Sequence, residues 1–480
     1  MVRGESERMR KILRQISITP IQTPASSTNH RDYNLQSSWH QPYLHPPPPK
    51  GGIDFESLPW NMNYPDESRY LHLTTTSTWT EEHYNPKTDA GTAVTAVKAY
   101  SSSPLGIYPS TTSLNYGTTI WEGLKCYRAV DGRAVIFRPD MNWRRFQSGA
   151  SEMCLPPPSK ELFMRCIQTA VRENAQLIPP YGDGMKLCTF FSLFLLCLHY
   201  PICSLFTHPI VHLLHSLSDV RPMLLGSGQQ LGLYPSKEFS MLYFVSPTGN
   251  YFKGKAVGGL KLHLETRRSR AARGGLGYVK CSGNYAVTLK PLMDAKKEGF
   301  DDNLYLELDT YTEGNIEDAV VQELSAANIF LVLRSGEIVT PSLDRKTILP
   351  GVTRDSVLAL AETYSEELYK AMSASTGAEG VSVKVSERDI TVGDLKMASE
   401  VFITGTAAEL VPVASLGTGS HDVDDFSVTL QHGQTLPGGP VTAKLLDILR
   451  EVMVGKRSCD ATKGWLSDPF TSPAEFCKGG

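Results

Sequence analysis

The sequence turns on GGLGYVKCSGNYAVTLK, Gly274 to Lys290. Lys280 follows a glycine run and stands among small and apolar neighbours: Gly277, Tyr278 and Val279 before it, Cys281 and Ser282 after. No carboxylate lies close to it in the chain. A lysine in such company is a candidate for burial. A buried ammonium group loses proton affinity until it becomes a nucleophile, including one that forms Schiff bases. The plain alternative is a lysine on a solvent-facing loop, and the rest of the chain decides between the two.

Working outward, Asn284 and Tyr285 open the next helix, so the lysine and the tyrosine can point into one cleft. GNIEDAVVQELSAANIF, from Gly314, sets Glu323 just before a buried strand. LPGVTR, Leu349 to Arg354, is a glycine turn running into a helix start, with Thr353 as its expected N-cap. ITGTAAEL, Ile403 to Leu410, is a second small-residue turn after a strand. Two such turns with free backbone amides can hold a phosphate, aided by the helix dipole. FRPDMNWRRF adds Arg145 as a third phosphate partner. A buried lysine, a carboxylate, a tyrosine and a phosphate cradle are together what pyridoxal 5'-phosphate (PLP) requires: a lysine to bind it covalently, a carboxylate to keep its ring nitrogen protonated, and a tyrosine on its ring oxygen. Each motif alone is common.

The folded part alternates short apolar strands with helices. Strands are expected at Ala134–Pro139, Phe239–Pro247, Asp302–Leu308, Ala327–Leu333 and Glu400–Ala407, and helices at Lys160–Gln176, Tyr285–Gly299, Thr353–Tyr369 and Thr442–Met453. This is a mixed α/β chain of two halves. Residues 53–247 form a smaller N-terminal domain, 248–259 a Gly-rich linker and 260–470 a larger domain.

Residues 1–52 read as a disordered tail rich in Ser, Thr, Gln and Pro, ending in the stiff run Pro46 to Pro49. MRKILRQISITP, from Met9, is a short basic amphipathic stretch that suits an organelle transit peptide; Glu5 and Glu7 count against it. Lys186 to Asp219 is anomalous, with no Asp, Glu, Lys or Arg between Leu187 and Ser218. Apolarity alone makes Leu187–Phe206 a membrane span, but Pro201 interrupts it and no second span follows. His208, His212 and His215 with Cys188, Cys197 and Cys203 have spacings that chance readily produces, so no metal is expected.

The whole chain has 480 residues, a net charge of -3 and 41% apolar residues, a composition that points to neither nucleic acid nor an anionic membrane as partner. Its nine cysteines show neither zinc nor disulfide spacing and read as reduced thiols.

The blocks LNYGTTIWEGLKCYR, FRPDMNWRRF, VRPMLLGSG, SPTGNYF, the Lys280 segment with its K-x-x-GNY, ELSAANIF, ILPGVTR and FITGTAAELVPV occur in this order over Ile53 to Leu466. Together they resemble the branched-chain amino acid aminotransferases, fold-type IV PLP enzymes, and most closely their plant-type members. The resemblance implies a two-domain homodimer with its site at the domain interface. It implies transamination of leucine, isoleucine and valine with 2-oxoglutarate by a ping-pong route. The basic tail favours a plastid or mitochondrion as location, with the cytoplasm as the alternative. Lys280 would bind PLP and carry the proton between Cα and C4′. Tyr285 would meet the ring oxygen and Glu323 the ring nitrogen, while Arg145, the Val352 and Thr353 amides and Thr406 would hold the phosphate. Tyr116, Trp121, Arg221 and Tyr251 would line the substrate pocket, with the Ala407 and Ala408 amides near the substrate carboxylate. For Tyr116, Trp121 and Tyr251 core packing is the competing reading from the residues alone.

Three features depart from the family pattern. Trp121 stands where Phe is usual, and Ala326 where Thr or Ser is common. Asp219 takes the place of a pocket tyrosine at the end of the Lys186–Asp219 insert, which reads as translated intron that costs a strand its Leu-Tyr and displaces Arg221. The alternatives are therefore a relative acting on methionine-derived oxo acids, and an inactive product of a retained intron.

Overall fold

In the computed structural model the described residues are 46–55, 58, 68–79, 96–181, 217–248, 258–376, 383–430 and 438–478. Tyr251, most of the hydrophobic insert with its His and Cys residues, and the basic N-terminal stretch lie outside them.

Two sheets carry the architecture. The first contains β1 (Arg69–Thr75), β2 (Ala96–Ala99), β3 (Thr119–Trp121), β4 (Leu124–Arg128), β5 (Ala134–Phe137), β6 (Leu217–Gly226) and β7 (Phe239–Thr248). The second contains β8 (Leu260–Glu265), β9 (Asp302–Leu306), β10 (Val321–Leu324), β11 (Asn328–Leu333), β12 (Glu337–Thr340), β13 (Lys384–Glu387), β14 (Ala398–Gly405), β15 (Glu409–Gly417) and β16 (Ser427–Thr429). One late strand, β17 (Leu466–Ser467), returns to the first sheet and pairs with β5. Its neighbour Trp465 lies under the Arg138 guanidinium, 4.2 Å from the ring centroid, and accepts a backbone bond from Arg138.

The apolar runs explain the layering. In β11, Ile329, Leu331 and Leu333 enter one core, while Phe330 and Val332 enter the other. A strand covered on both faces has no polar side to show, so it reads as an unbroken hydrophobic run. Phe330 and Phe402 stack across the β11–β14 pair with centroids 5.1 Å apart. The helices Val352–Thr363 and Pro440–Met453 cover that face. In the first sheet the amphipathic helix Lys160–Glu173, capped by Ser159 Oγ accepting from Leu162 N, buries Phe163 and Ile167 beneath β7.

Two expected helices differ in detail. The helix expected over Tyr285–Gly299 is two helices, Ser282–Ala286 and Leu289–Lys297. Pro291 sits in the first turn of the second, where its missing N–H leaves nothing unpaired. The helix expected over Thr353–Tyr369 starts at Val352, is capped by Gly351 rather than Thr353, and breaks at Tyr364 before Ser365–Thr376.

The insert was expected to run through Asp219 and to disrupt the following strand. Instead β6 begins at Leu217 and pairs with β7 at ten consecutive positions, from Leu217 opposite Thr248 to Gly226 opposite Phe239. Leu217, Ser218 and Asp219 thus supply backbone pairing, and Arg221 sits within the strand opposite Phe244. Among the described residues no helix is long and apolar enough to cross a membrane, and no His, Cys, Asp and Glu group is arranged to hold a metal ion.

Candidate active site

The sequence presents Lys280 through a tight approach of two segments. A Cβ on Gly277 would lie 2.5 Å from the Thr347 carbonyl oxygen, so only glycine fits there. Asn284 Nδ2 then ties the turn together, donating to the carbonyls of Leu276 (2.6 Å) and Val279 (2.8 Å). The first sheet is pinned to the same spot, since Trp121 N donates to Lys280 O at 3.1 Å and Ile120 bridges to Cys281.

The lysine amine is held by a hydroxyl and an aromatic ring. Its Nζ donates to Tyr285 Oη at 2.9 Å and lies 3.8 Å from the Trp121 ring centroid. Among the described residues it forms no ion pair. Burial, reinforced by the positive charges of Arg145 and Arg221, brings its pKa down to about 7. Burial also raises the Tyr285 hydroxyl, which stays protonated.

Glu323, at the end of β10, is buried among donors. Its Oε1 accepts from Leu349 N (2.9 Å), its Oε2 accepts from Asn328 Nδ2 (2.7 Å), and Arg270 Nη1 lies 2.7 Å from Oε1. Burial raises its pKa, with Arg270 opposing most strongly. Two hydrogen-bond donors and the adjacent Arg270 cation favour the carboxylate form against the cost of burial. Arg270 Nε is itself buried without a hydrogen-bond partner.

The phosphate-type elements converge beside it. Asn328 also donates to Leu349 O (2.9 Å) and pairs in register with Thr404, so one residue joins Glu323, the turn before Val352 and the end of β14. The helix Val352–Thr363 points its first amides, those of Val352 and Thr353, out of the helix with no intrahelical acceptor. Thr406, Ala407 and Ala408 form the turn between β14 and β15. Arg145 lies at this end, but two of its three bonds go to a partner that spacing did not reveal. Nε and Nη2 donate to the two carboxylate oxygens of Glu122 (2.8 and 2.7 Å), while Nη1 donates to Pro350 O (2.9 Å). Glu122 is fully buried and also accepts from Asn142.

This junction tolerates no extra atom. A Cβ on Gly351 would sit 2.1 Å from Asn328 Oδ1. Gly351→Ala is therefore expected to cost about 1–3 kcal/mol by overpacking. A thermal melt checks this, and an unchanged melting temperature would show that the contact is slack.

The pocket residues separate. The Trp121 ring is close to both Lys280 and Arg221, whose Nζ and Cζ lie 3.8 and 4.4 Å from its centroid. The Ala407 carbonyl accepts from buried Lys125 at 3.3 Å. Tyr116 is brought to none of these among the described residues. It is 39% exposed and donates its hydroxyl to Leu231 O. Glu122, Arg270 and Asn328 escaped the sequence reading. Arg270 is one of four arginines between Arg267 and Arg273, and nothing in the spacing singles it out.

The Amino-transferase class IV family pattern matches residues 210–416. The chain is 34% identical over 385 residues to branched-chain-amino-acid aminotransferase 6 of Arabidopsis thaliana, covering 80% of this chain and 88% of that protein. The chain belongs to the branched-chain aminotransferase family. The chloroplastic branched-chain-amino-acid aminotransferase 5 of the same plant is 38% identical over 312 residues, 65% of this chain and 61% of the relative, so the match spans under two thirds of that relative's length. A methionine aminotransferase of Arabidopsis thaliana is 33% identical over 386 residues, covering 80% and 89%. Among solved structures, the Escherichia coli branched-chain amino acid aminotransferase aligns with a TM-score of 0.56 at 21% identity, over 78% of this chain and 97% of that one. The PLP form of the Thermobaculum terrenum enzyme aligns with a TM-score of 0.55 at 18% identity, over 84% and 98%. At these identities the structural likeness speaks for the fold. The branched-chain aminotransferase fold accounts for the two-sheet architecture, with Lys280 where the sheets meet.

Proposed function

We propose that this chain is a branched-chain-amino-acid transaminase that moves the amino group of leucine, isoleucine or valine to 2-oxoglutarate with PLP as cofactor. The observation that carries the reading is Lys280. Its amine is poised near neutrality, bonded to a tyrosine hydroxyl and free of any carboxylate contact among the described residues. The donor set around it fits an acceptor-rich anionic cofactor: Tyr285, the partnerless Arg270 Nε, Arg145 and the free amides of a helix start. When bound, PLP supplies an aldehyde that captures the substrate amine and a ring that accepts electrons from Cα.

The chain's own residues do the rest. Lys280 Nζ takes the proton from the substrate Cα and returns it on the other side of the exchange, a task that needs a pKa near the working pH. Tyr285 keeps its proton and donates to the ring oxygen. Glu323 accepts from the ring nitrogen. Arg145, the Val352 and Thr353 amides and Thr406 hold the phosphate. Trp121, Arg221 and the Ala407 and Ala408 amides receive the substrate. In this reading residues 53–247 are the small domain and 260–470 the large one.

We also assign the chain to a homodimer. Ile107, Tyr108, Leu114, Leu231, Leu233 and Tyr234 are all exposed on the two segments joined by the Tyr116–Leu231 bond. An apolar surface of this kind asks for a partner. A plastid or mitochondrial location agrees with the chloroplastic and mitochondrial names of relatives and with the basic N-terminal stretch. A second reading, amino transfer from methionine-type substrates, draws on the methionine aminotransferase among the relatives.

Glutamate formation from 2-oxoglutarate by the purified, PLP-loaded chain is the test, with leucine, isoleucine, valine and methionine as donors. Turnover of the three branched-chain donors is expected. No product from any of them would overturn the reading, and product from methionine alone would select the second.

A further inference from the structure

Asp219 and Arg221 occupy alternate positions on β6, so both side chains leave the same face of the sheet. Arg221 Nη2 donates to Asp219 Oδ2 at 2.8 Å. Asp219 is 5% exposed while the Arg221 side chain is 25% exposed, so the carboxylate end of the pair is the one withdrawn from water. The pair shares one aromatic ring with the reacting amine. Arg221 Cζ lies 4.4 Å and Lys280 Nζ 3.8 Å from the Trp121 centroid. Across the strands, Asp219 is directly opposite Lys125, whose Nζ donates to the Ala407 carbonyl in the β14–β15 turn.

The other arginines around Lys280 are committed elsewhere. Arg145 is held at two points by Glu122 and Arg270 lies against Glu323. Arg221 Nε, like Arg270 Nε, is buried without a hydrogen-bond partner. A substrate whose side chain ends in a carboxylate would find its counter-ion at Arg221. Asp219 is already paired with that cation. A second carboxylate there must either displace Asp219 or share the guanidinium with it, and two carboxylates at one cation repel. An uncharged branched side chain pays no such penalty.

Building on the transaminase reading, we infer that Asp219 is a specificity-determining residue. It neutralises the pocket's cation and selects against substrates with a second carboxylate. The amino-acid leg with leucine, isoleucine or valine is favoured, and the glutamate and 2-oxoglutarate leg is the weakly bound one. The charge choice is set by position 219.

Each half-reaction is read as the loss of visible absorbance of the PLP-loaded protein during titration with one amino acid. In Asp219→Asn the ratio of apparent dissociation constants, glutamate to leucine, is expected to fall about tenfold, equal to about 1.4 kcal/mol. A ratio unchanged within about twofold overturns the inference while leaving the transaminase reading intact. If the variant does not fold, the wild type suffices. It is expected to bind glutamine at least as tightly as glutamate, and about tenfold tighter binding of glutamate overturns the inference. If neither leucine nor glutamate changes the wild-type spectrum, the transaminase reading itself has failed, and the inference fails with it.

Discussion

Lys280→Ala is expected to lower transamination at least about 10³-fold, combining the loss of general acid–base transfer with the loss of the covalent anchor. The substitution is not expected to weaken the fold. The lysine amine is desolvated, and its pKa of about 7 records how poorly the pocket tolerates its charge. Removing it relieves that penalty, so the cofactor-free variant is expected to melt no lower than the cofactor-free wild type. Lys280→Arg is expected to be as inactive, because a guanidinium stays protonated. The pH dependence follows from the same residue. Only the neutral amine is nucleophilic, so capture of PLP by the cofactor-free protein is expected to speed up as pH rises through about 7 and to level off above it. Stopped-flow absorbance measures this rate. A rise delayed to the ordinary lysine range, near about 10, would contradict the burial described here.

The second large effect is at Glu323. Glu323→Gln removes the only carboxylate in contact with Arg270 among the described residues and turns an NH2 group toward donors, those of Arg270, Asn328 or Leu349. Breaking a buried charge pair costs about 3–5 kcal/mol. Losing the anion proposed to face the cofactor ring is expected to slow turnover a further 10²–10³-fold, roughly the range for removing one preorganised electrostatic group. The two effects are separable, because kcat is measured on the folded fraction and stability by denaturant unfolding. A variant within twofold of wild type in both would show that Glu323 serves neither function.

Much of this was legible in the sequence because it rests on local chemistry. The glycine run before Lys280 is required by the contact between Gly277 and Thr347, and the glycine turn before Val352 by the contact between Gly351 and Asn328. The unbroken apolar run of β11 follows from burial on both faces. The partners of the charged groups were not legible. Glu122 meets Arg145 from another element, and Arg270 meets Glu323 across the chain, so which arginine is buried with which acid is decided only by folding. Two helix boundaries failed for different reasons. Pro291 carried a signal for a restart, whereas Tyr364 breaks a run of good helix formers with neither Gly nor Pro. The return of β17 to the first sheet leaves no trace in a pattern of strands and helices, because two residues are too few to show a period.

The most direct test of the central claim is to load the full chain with PLP, reduce it with borohydride, digest it and map the cofactor by mass. The mass increment is expected on the peptide containing Lys280, and none is expected in Lys280→Ala. An increment on another lysine, or none in a protein that binds PLP, would contradict the assignment of Lys280.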